Sequence, residues 1–225
     1  MKKIVVISGA GISAESGIKT FRDSNGLWEN HDIMEVASPY GWQKNRALVL
    51  DFYNQRRKQL LECKPNNAHL KLAELQEYFD VNIITQNVDD LHERAGSKNV
   101  LHLHGELLKA RSTLDENLIY NWQKDITLND KCEKGSQLRP HIVWFGESVP
   151  MLPKAANIVA EADILLVIGT SLVVYPAASL VDYTKNNCKN YIIDTKIPKN
   201  ISSSFTKIEA KASLGIENFI KFINE

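Results

Sequence analysis

A glycine-rich turn near the start of the chain is the first group of residues with a chemical reading. The apolar run Ile4–Ile7 leads into Ser8-Gly9-Ala10-Gly11-Ile12-Ser13-Ala14-Glu15, where Gly9, Gly11 and Ala14 have dinucleotide-loop spacing, with alanine at the third position. Glycine permits the tight turn, and its missing Cβ lets backbone N–H groups approach a pyrophosphate. The helix start that follows adds partial positive charge. A ligand-free strand–helix turn has the same spacing. No strand ends about 20 residues on, where a ribose-binding acid is expected. Asp194, just past the run Tyr191–Ile193, is the better candidate, and it reads also as a turn or cap residue. Arg22, in Thr20-Phe21-Arg22, is either a fixed cation for phosphate or a solvated arginine. Gln86, Asn87 and Asp89 follow the run Val81–Ile84, at the carboxyl end where open α/β sheets place ligands. His104, beside Gly105, suits a general base, since histidine ordinarily titrates near neutrality. His102 has the opposite strand parity and points to the other face; it and His92 read as packed or solvent-facing.

Distant segments must be brought together to use these residues, and the hydrophobic pattern shows how. Short, nearly all-apolar runs recur at Ile4–Ile7, Val81–Ile84, Val100–Leu103, Ile164–Ile168 and Tyr191–Ile193, as in strands buried on both faces. Between them, Val49, Tyr53, Arg56 and Leu60 recur at helical spacing, as do Ala68, Leu72, Leu75 and Phe79, and Ile216, Phe219, Ile220 and Ile223. Pro153 starts a further helix running to about Ala162. The alternation predicts an α/β fold with an open, doubly wound parallel sheet. Two segments leave the rhythm: the polar stretch Ser112–Leu138 reads as an insertion, and Asn30–Cys63 as mostly helical.

The chain has 225 residues, 44% of them hydrophobic, which suits one domain or a domain with a small module. Its 27 basic and 27 acidic side chains leave no global field to hold nucleic acid or an anionic membrane. The apolar runs are far shorter than the ~20 residues of a membrane helix. Met1-Lys2-Lys3 precedes only a short apolar stretch, too short for a signal-peptide core. Three distant cysteines, Cys63, Cys132 and Cys188, imply no disulfide framework, so a reducing cytoplasm is expected.

Gly9-Ala10-Gly11-Ile12-Ser13, Phe21-Arg22, Thr85-Gln86-Asn87-Val88-Asp89-Asp90-Leu91-His92, His104-Gly105 and Gly169-Thr170-Ser171 occur in the order found in sirtuins. The chain resembles that family over nearly its whole length, and most of all its bacterial class III type. Phe52–Arg57, His102–Lys109, Arg139–Glu147 and Val174–Ala178 support the match. The resemblance implies one catalytic domain: a Rossmann-like part over about 1–30, 64–108 and 140–225, and a small helical insert module over about 31–63 and 109–139. It implies an NAD-dependent protein-lysine deacylase, with NAD and an acyl-lysine peptide in the cleft between the two parts. Nicotinamide leaves, the acyl amide oxygen is captured at the ribose carbon, and free lysine and O-acyl-ADP-ribose result.

The same resemblance distributes roles. His104 becomes the base that takes a proton from a ribose hydroxyl, and Asn87 the second catalytic residue. Asn87 and Asp89 hold the nicotinamide carboxamide, whose donors and acceptor an amide and a carboxylate together complement, and Gln86 reaches the ribose. The NAD pocket also takes in Gly9, Ala10, Gly11, Ile12, Ser13, Glu15, Thr20, Phe21, Arg22, Trp28, Val88, Gly169, Thr170, Ser171 and Ala212. Asp194 joins them where the family usually has asparagine, and adds negative charge there. Val143, Phe145, Gly146, Glu147, Tyr53 and Arg56 fall on the substrate side. The implied partners are acylated-lysine proteins or peptides, acted on by a monomer.

Many sirtuins hold zinc with four cysteines in the small module, and tetrahedral thiolate zinc needs that ligand count. Here Ser112 stands where the first cysteine is expected and Cys132 is alone, so no metal is expected. Leu118, Tyr120, Trp122, Ile126 and Leu128 are then the residues to hold the module by packing. Two other functions fit an NAD pocket: an NAD glycohydrolase or ADP-ribosyltransferase, and a non-catalytic nucleotide-binding module. Val143, Phe145–Glu147 and the Tyr53/Arg56 pair have no obvious purpose in the first, and a binder needs no base such as His104. Tyr53 and Arg56 are three apart and share a helix face with Val49 and Leu60. From the helix pattern alone, Arg56 packs its stem and sends its head to solvent or an acid. The resemblance reverses this, because Tyr-x-x-Arg matches the class III signature that grips the carboxylate of succinyl- or malonyl-lysine.

Overall fold

The computed structural model describes residues 1–18, 27–28, 31–199 and 201–224, with backbone alone at Leu27 and Trp28. In chain order its strands are β1 (Lys3–Ser8), β2 (Leu27–Trp28), β3 (His31–Asp32), β4 (Asp80–Thr85), β5 (Val100–His102), β6 (Gly105–Ser112), β7 (Ile119–Asn121), β8 (Leu138–Ile142), β9 (Ile164–Ile168), β10 (Lys189–Asp194) and β11 (Phe205–Glu209). The helices are α1 (Ala10–Ser13), α2 (Ile33–Val36), α3 (Pro39–Lys44), α4 (Arg46–Glu62), α5 (Asn67–Glu74), α6 (Leu91–Arg94), α7 (Leu152–Ala160) and α8 (Ala212–Asn224).

Apolar runs without a polar face become interior strands. All five residues of β9 are buried, as are five of the six in β1. Six strands form one sheet in the order β11-β10-β9-β1-β4-β5, and every pairing is parallel. Counted by appearance in the chain, this is the Rossmann order 3-2-1-4-5-6 read from the other edge, so the order reverses between β1 and β9. One face packs on α5 and α8, around Ile4, Val6, Leu72, Ile216 and Phe219. The other packs on α7 and the turn of 3₁₀ helix at Ala177–Tyr183, around Val5, Ile7, Val159, Val167 and Leu180. The sheet is thus doubly wound.

The expected strands and long helices are present, with one addition. β11 pairs with β10 along the edge. Beside its helices, the small module contains strands of its own. β6, β7 and β8 make a separate antiparallel sheet in the order β7-β6-β8. It takes in Gly105–Leu108 and Pro140–Ile142, which the sequence boundaries give to the Rossmann-like part. The shift follows from pairing, since β6 and β8 bond to each other and not to the parallel sheet.

A third apolar cluster joins this module to α2, α3 and α4 through Val49, Phe52, Tyr53, Leu107, Ile126 and Trp144. Capping sets the ends of these helices: Ser38 Oγ accepts from Gly41 N ahead of Pro39, and Asn45 Oδ1 accepts from Leu48 N at the start of α4. Asn54 on α4 holds the insertion like a strand partner, donating to Ile126 O at 3.0 Å and accepting from Ile126 N at 2.9 Å. Ile126 is buried and Leu118, Tyr120 and Trp122 pack against the cluster, but Leu128 is exposed and contributes nothing to it.

The residues at the expected metal position do not fit zinc. Ser112 Oγ and Ser136 Oγ are 2.8 Å apart, Cys132 Sγ is 3.3 Å from Ser136 Oγ, and Lys134 pairs with Asp115 at 2.8 Å. One thiol among hydroxyls cannot make a tetrahedral thiolate site. Among the described residues, no group of three or more His, Cys, Asp or Glu side chains could hold a metal ion. We expect elemental analysis of the purified protein to find no stoichiometric zinc, and chelator to leave both activity and melting temperature unchanged. One tightly held zinc per chain would overturn this.

Beneath β1 lie two buried histidines. His92 Nε2 is 2.9 Å from Ser8 Oγ, His69 Nδ1 accepts from Asn66 N, and the two rings meet edge to face at 4.9 Å. Burial drives His69 down to about 4 and His92 well below its ordinary value. The unfolded chain protonates both near pH 6.5, so it binds more protons than the folded chain below that pH. Their contribution to stability is complete above about pH 6.5 and is lost as pH falls towards 4. Urea midpoints should therefore drop steadily between pH 7 and 5. NMR titration of the two rings with midpoints near 6.5 in the folded protein would refute the explanation.

Candidate active site

Where the strand order reverses, the loops after β1 and β9 touch. Gly11 N donates to Gly169 O at 2.8 Å, and Gly9 N to Ile168 O at 3.1 Å. A Cβ on Gly11 would collide with the Gly169 backbone, and one on Gly169 with Ile12 N; Gly169 also has φ +66°. The β1 loop then forms only the single turn α1, followed by 3₁₀ helix over Ala14–Ser16. This leaves bare backbone facing a cavity of about 670 Å³ at the carboxyl ends of the parallel strands. The position is where doubly wound sheets hold their ligands.

The cavity collects most of the residues expected from sequence. Gly9, Ala10, Gly11 and Glu15 line it from the first loop, Gln86, Asn87 and Val88 from the loop after β4, and Gly169, Thr170 and Ser171 from the loop after β9. Asp194 and Ala212 line it at the ends of β10 and α8, and Tyr53, His104, Val143, Phe145, Gly146 and Glu147 on the module side. Ile12, Ser13, Asp89 and Arg56 are not among the lining residues. Ile12 is fully buried in the core beneath the loop. Thr20, Phe21, Arg22 and the Trp28 side chain lie outside the described residues.

Ser13 and Asp89 stand one layer behind Asn87. Asn87 Nδ2 donates to Gly9 O at 3.2 Å and to Ser13 Oγ at 3.1 Å, and Ser13 Oγ donates to Asp89 Oδ2 at 2.9 Å. Both amide hydrogens are thereby used, which orients the group and leaves Oδ1 as the acceptor. Burial pushes Asp89 up to about 6, against the bonds it accepts from Leu91 N and Ser13. The Asn87 backbone is fixed too: Asn87 N donates to Thr85 Oγ1, and His102 Nδ1 meets Asn87 O at 3.1 Å. His102 Nε2 lies 2.7 Å from Glu93 Oε1. His102 therefore supports the loop from behind.

His104 differs from its neighbour. Its Nδ1 lies 3.0 Å from Gln86 O, a group that can only accept, so the proton sits on Nδ1 and Nε2 carries the lone pair. Burial lowers its pKa below the ordinary histidine value, with the Gln86 carbonyl opposing. A neutral imidazole of fixed tautomer beside an oriented amide can accept a proton from a hydroxyl bound in the cavity. Gln86 Nε2 itself donates to Thr170 Oγ1 at 3.2 Å, tying the second and third loops together.

Three other expected residues are engaged with the protein. Glu15 accepts from Ser213 N at 3.0 Å and Ser213 Oγ at 2.7 Å, capping α8. Asp194 accepts from Lys196 N at 3.0 Å, so it is a turn residue and a cavity residue at once. Glu147 accepts from Arg139 at 2.7 and 3.1 Å and from Trp144 N at 2.8 Å.

Sequence reasoning missed Trp144 and the exposed Val173 and Tyr175, all of which line the cavity. Trp144 stands between Val143 and Phe145 in an apolar stretch, with no spacing that marks it as a cavity residue. Val173 and Tyr175 had a clearer signal, as apolar residues directly after the glycine turn and before Pro176.

Known proteins share this architecture. A solved structure described as a Sir2 homologue–NAD complex superposes with a TM-score of 0.89, at 39% identity, over 99% of this chain and 90% of that one. A protein from Helicobacter pylori strain ATCC 700392 / 26695, named NAD-dependent protein deacylase, is 63% identical over 206 residues, 89% of this chain and 90% of that protein. A protein of the same name from Bacteroides thetaiotaomicron is 50% identical over 227 residues, 96% of each. The model of the Sir2 family matches residues 9–176. With its crossover loops, oriented amide and half-buried imidazole in the matched span, the chain belongs to the Sir2 family.

Proposed function

We infer that this chain is an NAD-dependent protein deacylase acting on acyl-lysine. The observation that carries this is His104: an imidazole of fixed tautomer facing the switch-point cavity, next to an asparagine whose amide oxygen is kept as an acceptor. The bare backbone of Gly9, Gly11 and Gly169 is a cradle that a single Cβ would fill, and it suits the pyrophosphate of NAD. Bound NAD supplies an electrophilic ribose carbon once nicotinamide has gone. Asn87 and Gln86 orient the ligand, Val143, Phe145, Gly146 and Glu147 flank the acyl-lysine, and His104 Nε2 receives a hydroxyl proton. No described helix is long and apolar enough to cross a membrane. The three free cysteines support a reducing compartment, the cytoplasm.

Incubation with NAD and an acyl peptide, read by mass spectrometry, separates the alternatives. Deacylation gives free lysine and O-acyl-ADP-ribose. ADP-ribose without peptide turnover means a glycohydrolase, and unchanged NAD means a binder. His104→Ala should retain NAD binding while deacylation falls ~10²–10⁴-fold. The acid limb of wild-type kcat/KM should have its midpoint below about 6.5, because burial lowers the pKa of His104 and the base works only when neutral. Near-wild-type turnover by the variant would reject His104 as the base.

For acyl choice we propose succinyl- and malonyl-lysine alongside acetyl-lysine. Tyr53 is fully buried on α4 and lines the cavity, and burial raises its phenol so that it keeps its proton. Arg56, one turn on, packs its guanidinium 5.1 Å from the Phe52 ring centroid, and its buried Nε has no hydrogen-bond partner. An unsatisfied buried N–H favours an anionic partner, and a carboxylate is one that arginine grips with two parallel bonds. Arg56→Met should raise KM for a succinyl peptide by orders of magnitude and spare the acetyl peptide. Equal losses on both peptides would make Arg56 structural and end the acyl assignment.

A further inference from the structure

Trp144 stands where three kinds of contact meet. Its indole Nε1 donates to the Tyr53 hydroxyl at 3.0 Å. The Arg139 guanidinium lies 3.3 Å from its ring centroid, and the Trp42 ring packs at 5.7 Å with a 41° tilt. Glu147 fixes this assembly from both ends, since it pairs with Arg139 and accepts from the Trp144 backbone N–H. Arg139 also donates to Ile142 O at 2.8 Å, which holds it to the end of β8. The ring is therefore clamped by an ion pair, and its N–H has one direction.

We infer that Trp144 is a positioning residue for acyl selection: its indole N–H fixes the orientation of the Tyr53 hydroxyl towards the carboxylate of an acidic acyl-lysine. This rests on the reading of Tyr53 and Arg56 as the acyl-carboxylate site. An indole nitrogen only donates, so the phenol oxygen must be the acceptor in this bond. One lone pair of that oxygen is committed to Trp144, and its O–H must point elsewhere. Without the indole, the hydroxyl could turn its proton into the space the N–H had filled. The carboxylate would then lose an oriented donor, whereas an acetyl group, which has no carboxylate, would lose nothing. The inference also gives the ion pair Arg139–Glu147 a purpose: it holds a ring whose N–H serves the acyl pocket.

The test is Trp144→Phe, assayed with succinyl and acetyl forms of one peptide and controlled by melting temperature. The phenylalanine ring keeps a face for Arg139 and removes the N–H. KM for the succinyl peptide should rise roughly 3- to 10-fold with little change in kcat, the size of one lost hydrogen bond. KM for the acetyl peptide, whose acyl group has no carboxylate, should rise clearly less than KM for the succinyl peptide. In a Tyr53→Phe background the same substitution should add nothing. If Trp144→Phe fails to fold, Trp144→benzothienylalanine, which exchanges the N–H for sulfur and keeps the bicyclic shape, should give the same split. Equal losses on both peptides, or an undiminished effect in the Tyr53→Phe background, would overturn the inference. The acyl reading would survive that result wherever Arg56→Met still discriminates. Wild-type enzyme with no turnover of the succinyl peptide would instead fail the acyl reading, and this inference with it.

Discussion

The backbone contact between Gly11 and Gly169 is the constraint on which the site depends. β1 and β9 run in register from Ile4 opposite Ile164 to Ser8 opposite Ile168, so they leave the sheet at the ordinary strand spacing of ~4.8 Å. Beyond the last pair the two loops stay in contact, with Gly11 N donating to Gly169 O at 2.8 Å. A side chain on either glycine would have to displace the other's main chain. The crossover therefore stays closed only as bare backbone. That closure puts Thr170 within reach of Gln86 and puts Gly9 O under the Asn87 amide. Three loops that are far apart in sequence are thereby tied into one wall.

Behind that wall the electrostatics rest on a buried carboxyl and the bonds that lead from it. Asp89 is buried, and its carboxyl is raised to about 6 because burial outweighs the two bonds it accepts. Its influence reaches the cavity through Ser13, as a directed chain of donors ending at Asn87. The other side of the same loop is braced by His102, which is in turn held by Glu93. Dipoles fixed in this way need no rearrangement as charge develops in front of them, which is the condition for effective electrostatic stabilisation. The two histidines near β5 thus divide the labour: His102 braces, while His104 keeps a lone pair facing the cavity.

How much of this was legible in the sequence follows from which residues had a single physical solution. β1, β4, β9 and β10 were readable because an apolar run bounded by polar turns is hard to bury any other way. β11 was not, since Phe205-Thr206-Lys207-Ile208-Glu209 has only two buried residues and sits at the sheet edge. The module's sheet was hidden by polar composition: β7 is mostly exposed, and β6 mixes buried and half-buried positions. Leu128 shows the limit of reading hydrophobicity as burial, because single exposed leucines are ordinary on a protein surface. At the site, glycine spacing and strand-end polar residues pointed to the right loops. The layering could not be read. Nothing in Asn87-Val88-Asp89 says that the asparagine fronts the cavity and the aspartate stands behind it. Nor does helical spacing separate Tyr53, which lines the cavity, from Arg56, which does not.

The small module makes the same point in energetic terms. Four thiolates on a metal would fix its loops strongly, and here a few hydroxyls and one exposed ion pair occupy their place. Such a pair contributes little, with a typical value of ~0–1 kcal/mol. The module's order must then come from its apolar cluster, which is shared with α4, and from Asn54, which pairs with Ile126 in both directions. The consequence reaches the active site. β8 leaves the module and passes directly into Val143, whose N–H donates to His104 O at 2.9 Å. Trp144, next in the chain, belongs to the cluster that holds the module and lines the cavity as well. Because Trp144 belongs to both, the order of the insert is tied to the packing on the module side of the cavity, and the two cannot loosen independently.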